Sequence, residues 1–152
     1  MQNRIQHFVT GYKLQLRNEN HHWIDKFTPV ELNYKVIKGN SSLPPVIICH
    51  GMLGSHQNWS VIGRKINQQT DRSVYLPDMR NHGSSPHSNG MTYYDMASDV
   101  NNFIRKRDLG EVILMGKKTF EVLCKLLEKQ KFNMCLLRKK SGQIVFISYF
   151  RA

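Results

Sequence analysis

The predicted architecture is built around one segment, Val46-Ile47-Ile48-Cys49-His50-Gly51-Met52-Leu53-Gly54-Ser55. Its first four residues, Val46–Cys49, are apolar and mostly β-branched, and Pro44-Pro45 precedes them. A short run that is apolar on both faces is typical of a central parallel strand covered by helices on each side. Proline is tolerated at the start of such a strand. Cys49, inside this run, is predicted to be a small buried hydrophobic residue.

Three further segments upstream of residue 117 are predicted to be strands. Residues 32–38 alternate apolar and polar side chains through Val36, which is the pattern of a half-buried strand. Residues 73–76, which stop before Pro77, and residues 112–115, which Gly116 follows, are short apolar runs like the first one. Polar turn residues at 39–42 separate the first strand from the second.

Two helices are predicted between these strands. Residues 57–69 place Trp59, Ile62 and Ile66 on one apolar stripe. Residues 93–106 place five apolar side chains on one side of a second helix: Tyr93, Met96, Val100, Phe103 and Ile104. Leu109-Gly110 closes that helix, with glycine at the usual C-terminal position. Strands that alternate with helices of this length imply right-handed βαβ crossovers. The predicted fold is therefore α/β, with a mainly parallel sheet and helices on both faces.

Residues 50–54, which follow the central strand, are the first candidate site. Ligand sites in open α/β sheets lie at this carboxyl edge. Glycines flank the turn, so backbone N–H groups can point outward without an obstructing Cβ. Two such donors aimed at one point form an oxyanion hole. We name the candidate residues the oxyanion loop: His50, Gly51, Met52, Leu53 and Gly54. A plain strand-to-helix turn with Ser55 as a helix cap explains the same pattern equally well.

The loop after the next strand is the second candidate site. It runs Asp78-Met79-Arg80-Asn81-His82-Gly83-Ser84-Ser85-Pro86-His87, a dense polar turn. Asp78 is expected either to pair with Arg80 or to cap the His82-Gly83 turn. A triad of Asp78, His82 and Ser84 is disfavoured, because residues this close on one turn do not easily form a serine–histidine–acid chain with an exposed nucleophile. We interpret five residues as a bracing loop beside the active site: Asp78, Arg80, His82, Gly83 and Ser84.

The two loops together resemble the α/β-hydrolase superfamily. The string from Arg80 to Ser88, followed by Met91-Thr92-Tyr93, is similar to the group called α/β-hydrolase domain-containing protein 11, described as mitochondrial sn-1-specific diacylglycerol lipases. The resemblance covers residues 30–116. It implies hydrolysis of acyl esters through an acyl-enzyme, a small-molecule acyl-ester or lipid substrate, no cofactor, no metal and a mitochondrial location.

The family continues after the strand at 112–115 with Gly-His-Ser-Met-Gly-Gly, in which the serine is the nucleophile. Here Gly116 is followed by Lys117-Lys118-Thr119-Phe120, no Gly-x-Ser-x-Gly occurs in the sequence, and no histidine follows His87. The nucleophile, acid and base are therefore predicted to be absent, and only the Met52 N–H is expected to remain of the oxyanion hole. We expect a truncated, inactive member with three parts: an N-terminal extension (1–29), a partial α/β-hydrolase domain (30–116) and an unrelated basic tail (117–152).

The tail at 117–152 leaves several interpretations open. The codons GGT-AAG can encode Gly116-Lys117, and they contain GTAAG, the common start of an intron. Residues 117–152 are therefore interpreted as translated intron or as an alternative last exon. Phe120, Leu123 and Leu127 form a stripe among lysines, and such a basic amphipathic helix suits a non-catalytic binding or regulatory isoform with peripheral membrane contact. An ordinary surface helix that packs on the core explains the stripe as well. Residues 143–150 are predicted to form a strand.

The charge distribution disfavours a nucleic-acid partner. The net charge is +11, yet residues 1–116 hold 13 Lys/Arg against 9 Asp/Glu, whereas residues 117–152 hold 9 against 2. The basicity therefore belongs mainly to the tail rather than to a basic face of the main body. The three cysteines are odd in number and irregularly spaced, which predicts neither a disulfide scaffold nor a zinc site.

The sequence contains no apolar run near the roughly 18 residues that a bilayer-spanning helix needs. The N-terminus lacks the apolar core of a secretory signal, so we do not expect secretion. Arg4, Lys13 and Arg17, with no acid before Glu19, fit either a weak mitochondrial transit segment or a plain polar extension. The expected location is mitochondrial by the resemblance and cytoplasmic otherwise.

Overall fold

The computed structural model describes residues 26–116 and the backbone of residues 146–150. The described elements are five strands, two α-helices and a short 3₁₀ helix. In chain order they are β1 (Tyr34–Ile37), β2 (Val46–Cys49), the 3₁₀ helix (His56–Trp59), α1 (Ser60–Thr70), β3 (Val74–Pro77), α2 (Tyr93–Lys106), β4 (Val112–Gly116) and β5 (Phe146–Phe150).

β2 is the centre of the sheet, whose strand order is β1-β3-β2-β4-β5. It pairs in parallel with β3 on one side and with β4 on the other. The outer strands β1 and β5 pair antiparallel with β3 and β4. The α/β class with a parallel centre is therefore confirmed, and the outer strands make the sheet mixed. Because β2, β3 and β4 are parallel, their carboxyl ends meet at one edge, where the two candidate loops begin.

The two helices cover opposite faces of the sheet, as predicted. Ile47 and Cys49 of β2 pack in one cluster with Val100 of α2. The alternate residue Ile48 packs in a second cluster with Ile66 of α1. Cys49 is buried, as predicted. The alternation along a strand whose residues are all buried explains why β2 is apolar at every position.

A glycine lies on the buried face of α1, where the helix packs against the sheet. Trp59 and Ile66 pack against the sheet, whereas Ile62, on the same predicted stripe, is 43% exposed. Gly63 is buried instead, and a Cβ at that position would lie 3.1 Å from Cδ1 of Ile37. The buried line of α1 therefore passes through Gly63, where the absence of a side chain lets the helix backbone approach β1.

α2 begins with a reciprocal capping box. The Asp95 N–H donates to Oγ1 of Thr92, and the Asp95 carboxylate accepts a 2.8 Å hydrogen bond from the Thr92 N–H. Met96 packs against the core, and its stripe continues through buried residues of the helix. Tyr93, at the start of the predicted apolar side, is 37% exposed. It lies in the first turn, before the helix reaches the core cluster.

The end of α2 is closed by Asp108 rather than by Gly110. Asp108 has φ +46°, and the Leu109 N–H donates to the Ile104 carbonyl at 3.2 Å, the closing bond of a Schellman motif. Aspartate tolerates this left-handed conformation because its short polar side chain can bond locally. The prediction that Gly110 closes the helix is therefore wrong, although Gly110 is itself left-handed.

Short contacts tie the chain ahead of β1 to α2. The Val30 N–H donates to Oδ1 of Asp99 at 2.7 Å, and the Ser98 hydroxyl donates to the Phe27 carbonyl at 3.3 Å. The rest of the predicted N-terminal extension lies outside the described residues, as does the predicted amphipathic stripe of the tail. β5 supplies part of the strand predicted at 143–150. Within the described ranges, no helix is long and apolar enough to cross a bilayer.

Candidate functional site

The oxyanion loop and the bracing loop lie side by side at the carboxyl edge of the sheet. The first follows β2 and the second follows β3, and these two strands are parallel neighbours. The rings of His50 and His82 meet edge to face, with centroids 5.1 Å apart. The structure therefore brings together the two glycine-bearing loops that the sequence pointed to.

The oxyanion loop is a tight, exposed turn. The Gly54 N–H donates to the Gly51 carbonyl at 3.0 Å, and Leu53, between them, has φ +61°. Met52 and Leu53 are 72% and 97% exposed. Across residues 26–116, the Met52 N–H donates no hydrogen bond. A non-glycine residue in the left-handed region costs roughly 1–2 kcal/mol, and such strain is often kept at ligand sites.

The helix cap that explained the same pattern is also present. The Ser55 N–H donates to Oδ1 of Asn58 at 2.8 Å, and the Asn58 N–H donates to the Ser55 carbonyl at 3.1 Å. These bonds satisfy backbone groups at the start of the 3₁₀ helix. The cap lies after the glycine turn and leaves the Met52 N–H unused, so the cap and the oxyanion interpretation do not exclude each other.

His50 fastens the oxyanion loop to the bracing loop. Its Nε2 accepts a 2.9 Å hydrogen bond from the Met79 N–H, and its Nδ1 lies 2.9 Å from the Gly51 carbonyl. Since Nε2 accepts, the ring is neutral with its proton on Nδ1, which donates to Gly51. Burial lowers the pKa of His50, and the neighbouring His82 and His56 rings lower it further. The neutral ring is therefore a fixed structural link.

Asp78 makes the return link from the bracing loop. Its buried carboxylate accepts hydrogen bonds from the His56 N–H at 2.7 Å, from the His56 ring at 3.0 Å and from the Ser84 N–H at 3.0 Å. Burial alone would raise the pKa of Asp78, but the Ser84 and His56 donors hold it below its ordinary value. We call the His50–Met79 and Asp78–His56 links together the reciprocal clamp.

Of the two roles expected for Asp78, the structure contains the cap of the turn and not the pair with Arg80. His56 was not among the predicted site residues. It lies 22 positions before Asp78, and no local sequence pattern predicts a contact between the two residues.

Arg80 anchors the bracing loop to α2. It is 1% exposed, and its Nε and Nη2 donate to the two Asp99 oxygens at 2.6 Å each. Further donors reach the carbonyls of Gly90 and Thr28. Burial disfavours the charged guanidinium, but the Asp99 and Asp95 carboxylates raise the pKa of Arg80 above its ordinary value, so the charge persists. Burial raises the pKa of Asp99, and the Arg80 fork opposes that rise.

Asp99 was not predicted as a site residue either, although its position in the sequence could have indicated its role. It interrupts the apolar side of α2 just before Val100 and is fully buried. A buried carboxylate requires a partner, and Arg80 is the partner. An acid on the core side of a predicted helix therefore indicates a buried cation elsewhere in the chain.

The arrangement of His82, Gly83 and Ser84 excludes a local triad. The His82 Nδ1 lies 2.8 Å from the Arg80 carbonyl, to which it donates, so this ring is not oriented by Asp78. Gly83 has φ +52° and lies so close to Asp78 that a Cβ would overlap its carboxylate. The Ser84 N–H, rather than its hydroxyl, faces Asp78. The contacts of His82, Gly83 and Ser84 hold the shape of the turn.

Ser85 is a further bracing residue that sequence reasoning missed. Its buried hydroxyl donates to the Asp78 carbonyl at 2.5 Å and accepts a 2.8 Å hydrogen bond from the Asn33 N–H. It thereby joins the bracing loop to the residue that precedes β1. No group of three metal-ligating side chains occurs in the part of the chain that the structure describes.

The end of β4 lies beside the oxyanion loop. Gly116 is the register partner of Cys49, the residue before His50. The chain therefore leaves β4 at the same edge of the sheet, adjacent to the exposed Met52 turn. Residues 117–145 lie outside the described residues.

Comparison with known proteins agrees with this architecture. Residues 44–117 match the model of the family described as the alpha/beta hydrolase fold. A probable alcohol acetyltransferase of Saccharomyces cerevisiae is 42% identical over 102 residues, which are 60% of this chain and 30% of that protein. The sn-1-specific diacylglycerol lipase ABHD11 of Danio rerio is 38% identical over 89 residues, 59% of this chain and 28% of that protein. The aligned part of this chain thus spans about three tenths of the length of these relatives.

Solved structures show the same likeness. A marine microorganism esterase superposes with a TM-score of 0.58 at 31% identity, covering 74% of this chain and 46% of that one. A putative ancestral haloalkane dehalogenase superposes with a TM-score of 0.55 at 21% identity, covering 66% of this chain and 34% of that one. The second likeness shows the fold alone.

Replacing Gly83 with alanine should be more destabilising than the same change at Gly110. Both glycines are left-handed, so alanine at either position should cost about 1 kcal/mol in backbone strain. At Gly83 the new Cβ also overlaps the Asp78 carboxylate, whereas nothing lies within 4 Å at Gly110. We expect Gly83→Ala to lower the free energy of unfolding by about 3 kcal/mol in total, measured by urea denaturation. Equal losses for the two variants would contradict the close contact.

Removing His50 should weaken the acid sensitivity of the fold. Because the pKa of His50 is lowered, the unfolded chain binds a proton more readily than the folded one. The stability contributed by the neutral ring is therefore present above pH ~6.5, the unfolded value, and is lost as pH falls below it, by up to about 1.4 kcal/mol per pH unit.

His50→Gln should reduce the loss of unfolding free energy between pH 7 and pH 5.5, since glutamine retains an acceptor but does not titrate. His87→Gln, at an exposed histidine, is the matched control and should leave the pH dependence unchanged. An unchanged pH dependence in His50→Gln would show that the ring is not held neutral.

Proposed function

We propose that the oxyanion loop and the bracing loop of this chain, which carries the N-terminal part of an α/β-hydrolase fold, form the oxyanion side of an acyl-ester hydrolase site. The proposal rests on the state of the Met52 N–H. Across residues 26–116 this N–H donates no hydrogen bond, and the reciprocal clamp holds the turn in which it lies. A fixed N–H donor at the carboxyl edge suits the negatively charged oxygen that develops on an ester carbonyl under attack.

The proposed substrate class is an acyl ester of the lipid or diacylglycerol type. In support, one relative is a diacylglycerol lipase and a structural neighbour is an esterase. Another relative, an acetyltransferase, moves an acyl group to a different acceptor. Acyl transfer to water and to an alcohol both pass through a tetrahedral oxyanion, so the oxyanion loop serves either outcome. The exposed apolar side chains of Met52 and Leu53 suit contact with an acyl chain.

In the family mechanism, a serine on the turn after β4 attacks the ester carbonyl. A histidine removes the serine proton, an acid orients the histidine, and two backbone N–H groups hold the oxyanion until water releases the acyl group. Met52 would supply one of these N–H groups, and the residue after the serine the other. Here Lys117-Lys118 follow Gly116, where the family has histidine and serine. We therefore propose that the 152-residue chain does not form an acyl-enzyme.

We also propose a mitochondrial location and a peripheral membrane contact. The cations Arg4, Lys13 and Arg17, with no acid before Glu19, support the first, and the basic stripe within residues 117–152 supports the second. The mildly basic main body speaks against a nucleic-acid partner. Fractionation of cells expressing the chain with and without residues 1–29 tests the location. Salt-sensitive binding to anionic liposomes tests the membrane contact, and binding that ignores salt would count against it.

The purified 152-residue chain should not react with a fluorophosphonate serine probe and should not hydrolyse p-nitrophenyl butyrate above background. Losing a serine nucleophile costs on the order of 10⁶ in turnover in a serine protease. Stoichiometric labelling of the chain would refute the proposed inactivity.

The oxyanion role is tested in a chimera that joins residues 1–116 to the later part of the Danio rerio lipase. Met52→Pro removes only the N–H, because proline suits the position before the left-handed residue of such a turn. We expect kcat to fall about 10²–10³-fold, as on loss of one oxyanion donor. Met52→Ala keeps the N–H and should retain most of the activity. Equal activity in the two variants would remove Met52 from the oxyanion hole.

A further inference from the structure

Arg107, just past the end of α2, is held between two aromatic rings on the β1 side of the sheet. Its guanidinium carbon lies 4.4 Å from the centroid of Tyr34 and 4.1 Å from that of Phe103. The two rings meet edge to face at 85°, so the guanidinium occupies the angle between them. Cation–π contacts on two sides fix the plane and position of the charge.

The fixed guanidinium has no acidic partner. Across residues 26–116, the Arg107 side chain makes no hydrogen bond or ion pair, and its Nε is the one buried side-chain nitrogen or oxygen without a partner. Arg80 differs sharply, because its donors reach Asp99, Gly90 and Thr28. An arginine carries five donors and keeps its charge at all ordinary pH values. Arg107 therefore presents a rigid cationic fork that no group of the described chain uses.

Arg107 lines an open groove of about 310 Å³. Asn33, Tyr34, Ser84 and Pro86 contribute to its walls. This volume falls at the lower end of the range for small-molecule sites. The Ser84 side chain is exposed and its hydroxyl makes no hydrogen bond within residues 26–116, so it is a second donor beside Arg107. Tyr34 and Pro86 supply apolar surface.

The neighbouring charges leave Arg107 available. Glu31 also lines the groove, but its carboxylate is 3.1 Å from Nζ of Lys106. Arg105 adds a further exposed cation on the last turn of α2, and Asp108 follows as an acid. The groove therefore combines a fixed cation, a free hydroxyl donor and apolar walls, with its one lining acid already paired.

We propose that this groove binds a small organic anion, with a carboxylate or phosphate on Arg107 and Ser84 and an apolar body along Tyr34 and Pro86. The planar fork of arginine matches either oxyanion group. The groove lies on the β1 side of β3, whereas the oxyanion loop lies on the β2 side. It is therefore a second site, and it does not depend on the acyl-ester chemistry proposed for the first.

Ser84 links this groove to the bracing loop. Its N–H caps Asp78, whose carboxylate belongs to the reciprocal clamp, while its hydroxyl faces solvent beside the groove. An anion held by the hydroxyl would therefore order the same turn that Asp78 holds from the other side.

The test uses the full 152-residue chain, with phenyl phosphate and benzoate as probes and benzyl alcohol as the neutral control, by titration calorimetry. Phenyl phosphate or benzoate should bind at least about tenfold more tightly than benzyl alcohol, and the stronger of the two identifies the oxyanion group. Arg107→Gln should weaken that binding about tenfold or more, whereas Arg105→Gln, which removes the same charge from the same helix end, should change it less than about twofold.

A second variant is needed because Arg107 packs on two rings, so that Arg107→Gln could weaken anion binding by destabilising the fold. Ser84→Ala removes only an exposed hydroxyl and should weaken anion binding about threefold to tenfold, with the circular dichroism spectrum unchanged. Failure of both anions to bind the wild-type chain better than benzyl alcohol would overturn the proposal. Equal weakening by Arg105→Gln and Arg107→Gln would also overturn it, since it would show general charge attraction, and so would full binding by Ser84→Ala.

Discussion

The hydrogen bond from the Met79 N–H to Nε2 of His50 is the contact on which the candidate site depends. It joins the loop after β2 to the loop after β3, and the Asp78–His56 link returns in the opposite direction. Each loop thus supplies one side chain that binds the backbone of the other. Parallel pairing of β2 and β3 places the loops at one edge, and the reciprocal clamp fixes their spacing. A fixed spacing is what an oxyanion donor needs, because catalytic hydrogen bonds act through preorganised geometry.

Burial of polar groups behind the loops makes this arrangement rigid. Asp78, Arg80 and Asp99 are almost fully covered, and every one of them is hydrogen-bonded. Buried ion pairs contribute little net stability when complete, but leaving one partner behind costs about 3–5 kcal/mol. The polar network therefore selects one loop conformation rather than strengthening the fold as a whole. Stability comes instead from the two apolar clusters on either side of β2.

The elements that the sequence predicts well are those decided by local pattern. The apolar runs of β2, β3 and β4 and the amphipathic α2 lie where their patterns place them, and so do the two glycine turns. In α1 and in the bracing loop, the structure departs from the local pattern because close approach or long-range pairing overrode it. In α1, Gly63 rather than Ile62 is buried against the sheet, because a residue without a side chain lets the helix backbone approach β1. Asp78 is hydrogen-bonded to His56 rather than to Arg80, and Arg80 is hydrogen-bonded to Asp99. Both pairs are too far apart in sequence to be predicted from a local pattern.

The ¹⁵N chemical shifts of the His50 ring, measured by NMR at pH 7, report whether the His50–Met79 link forms. We expect a neutral ring protonated at Nδ1, with Nε2 unprotonated and a hydrogen-bonded Met79 amide that exchanges slowly with solvent. A charged ring, or a neutral ring protonated at Nε2, would contradict this, because neither form can accept the Met79 proton and the clamp would then lack its His50–Met79 link.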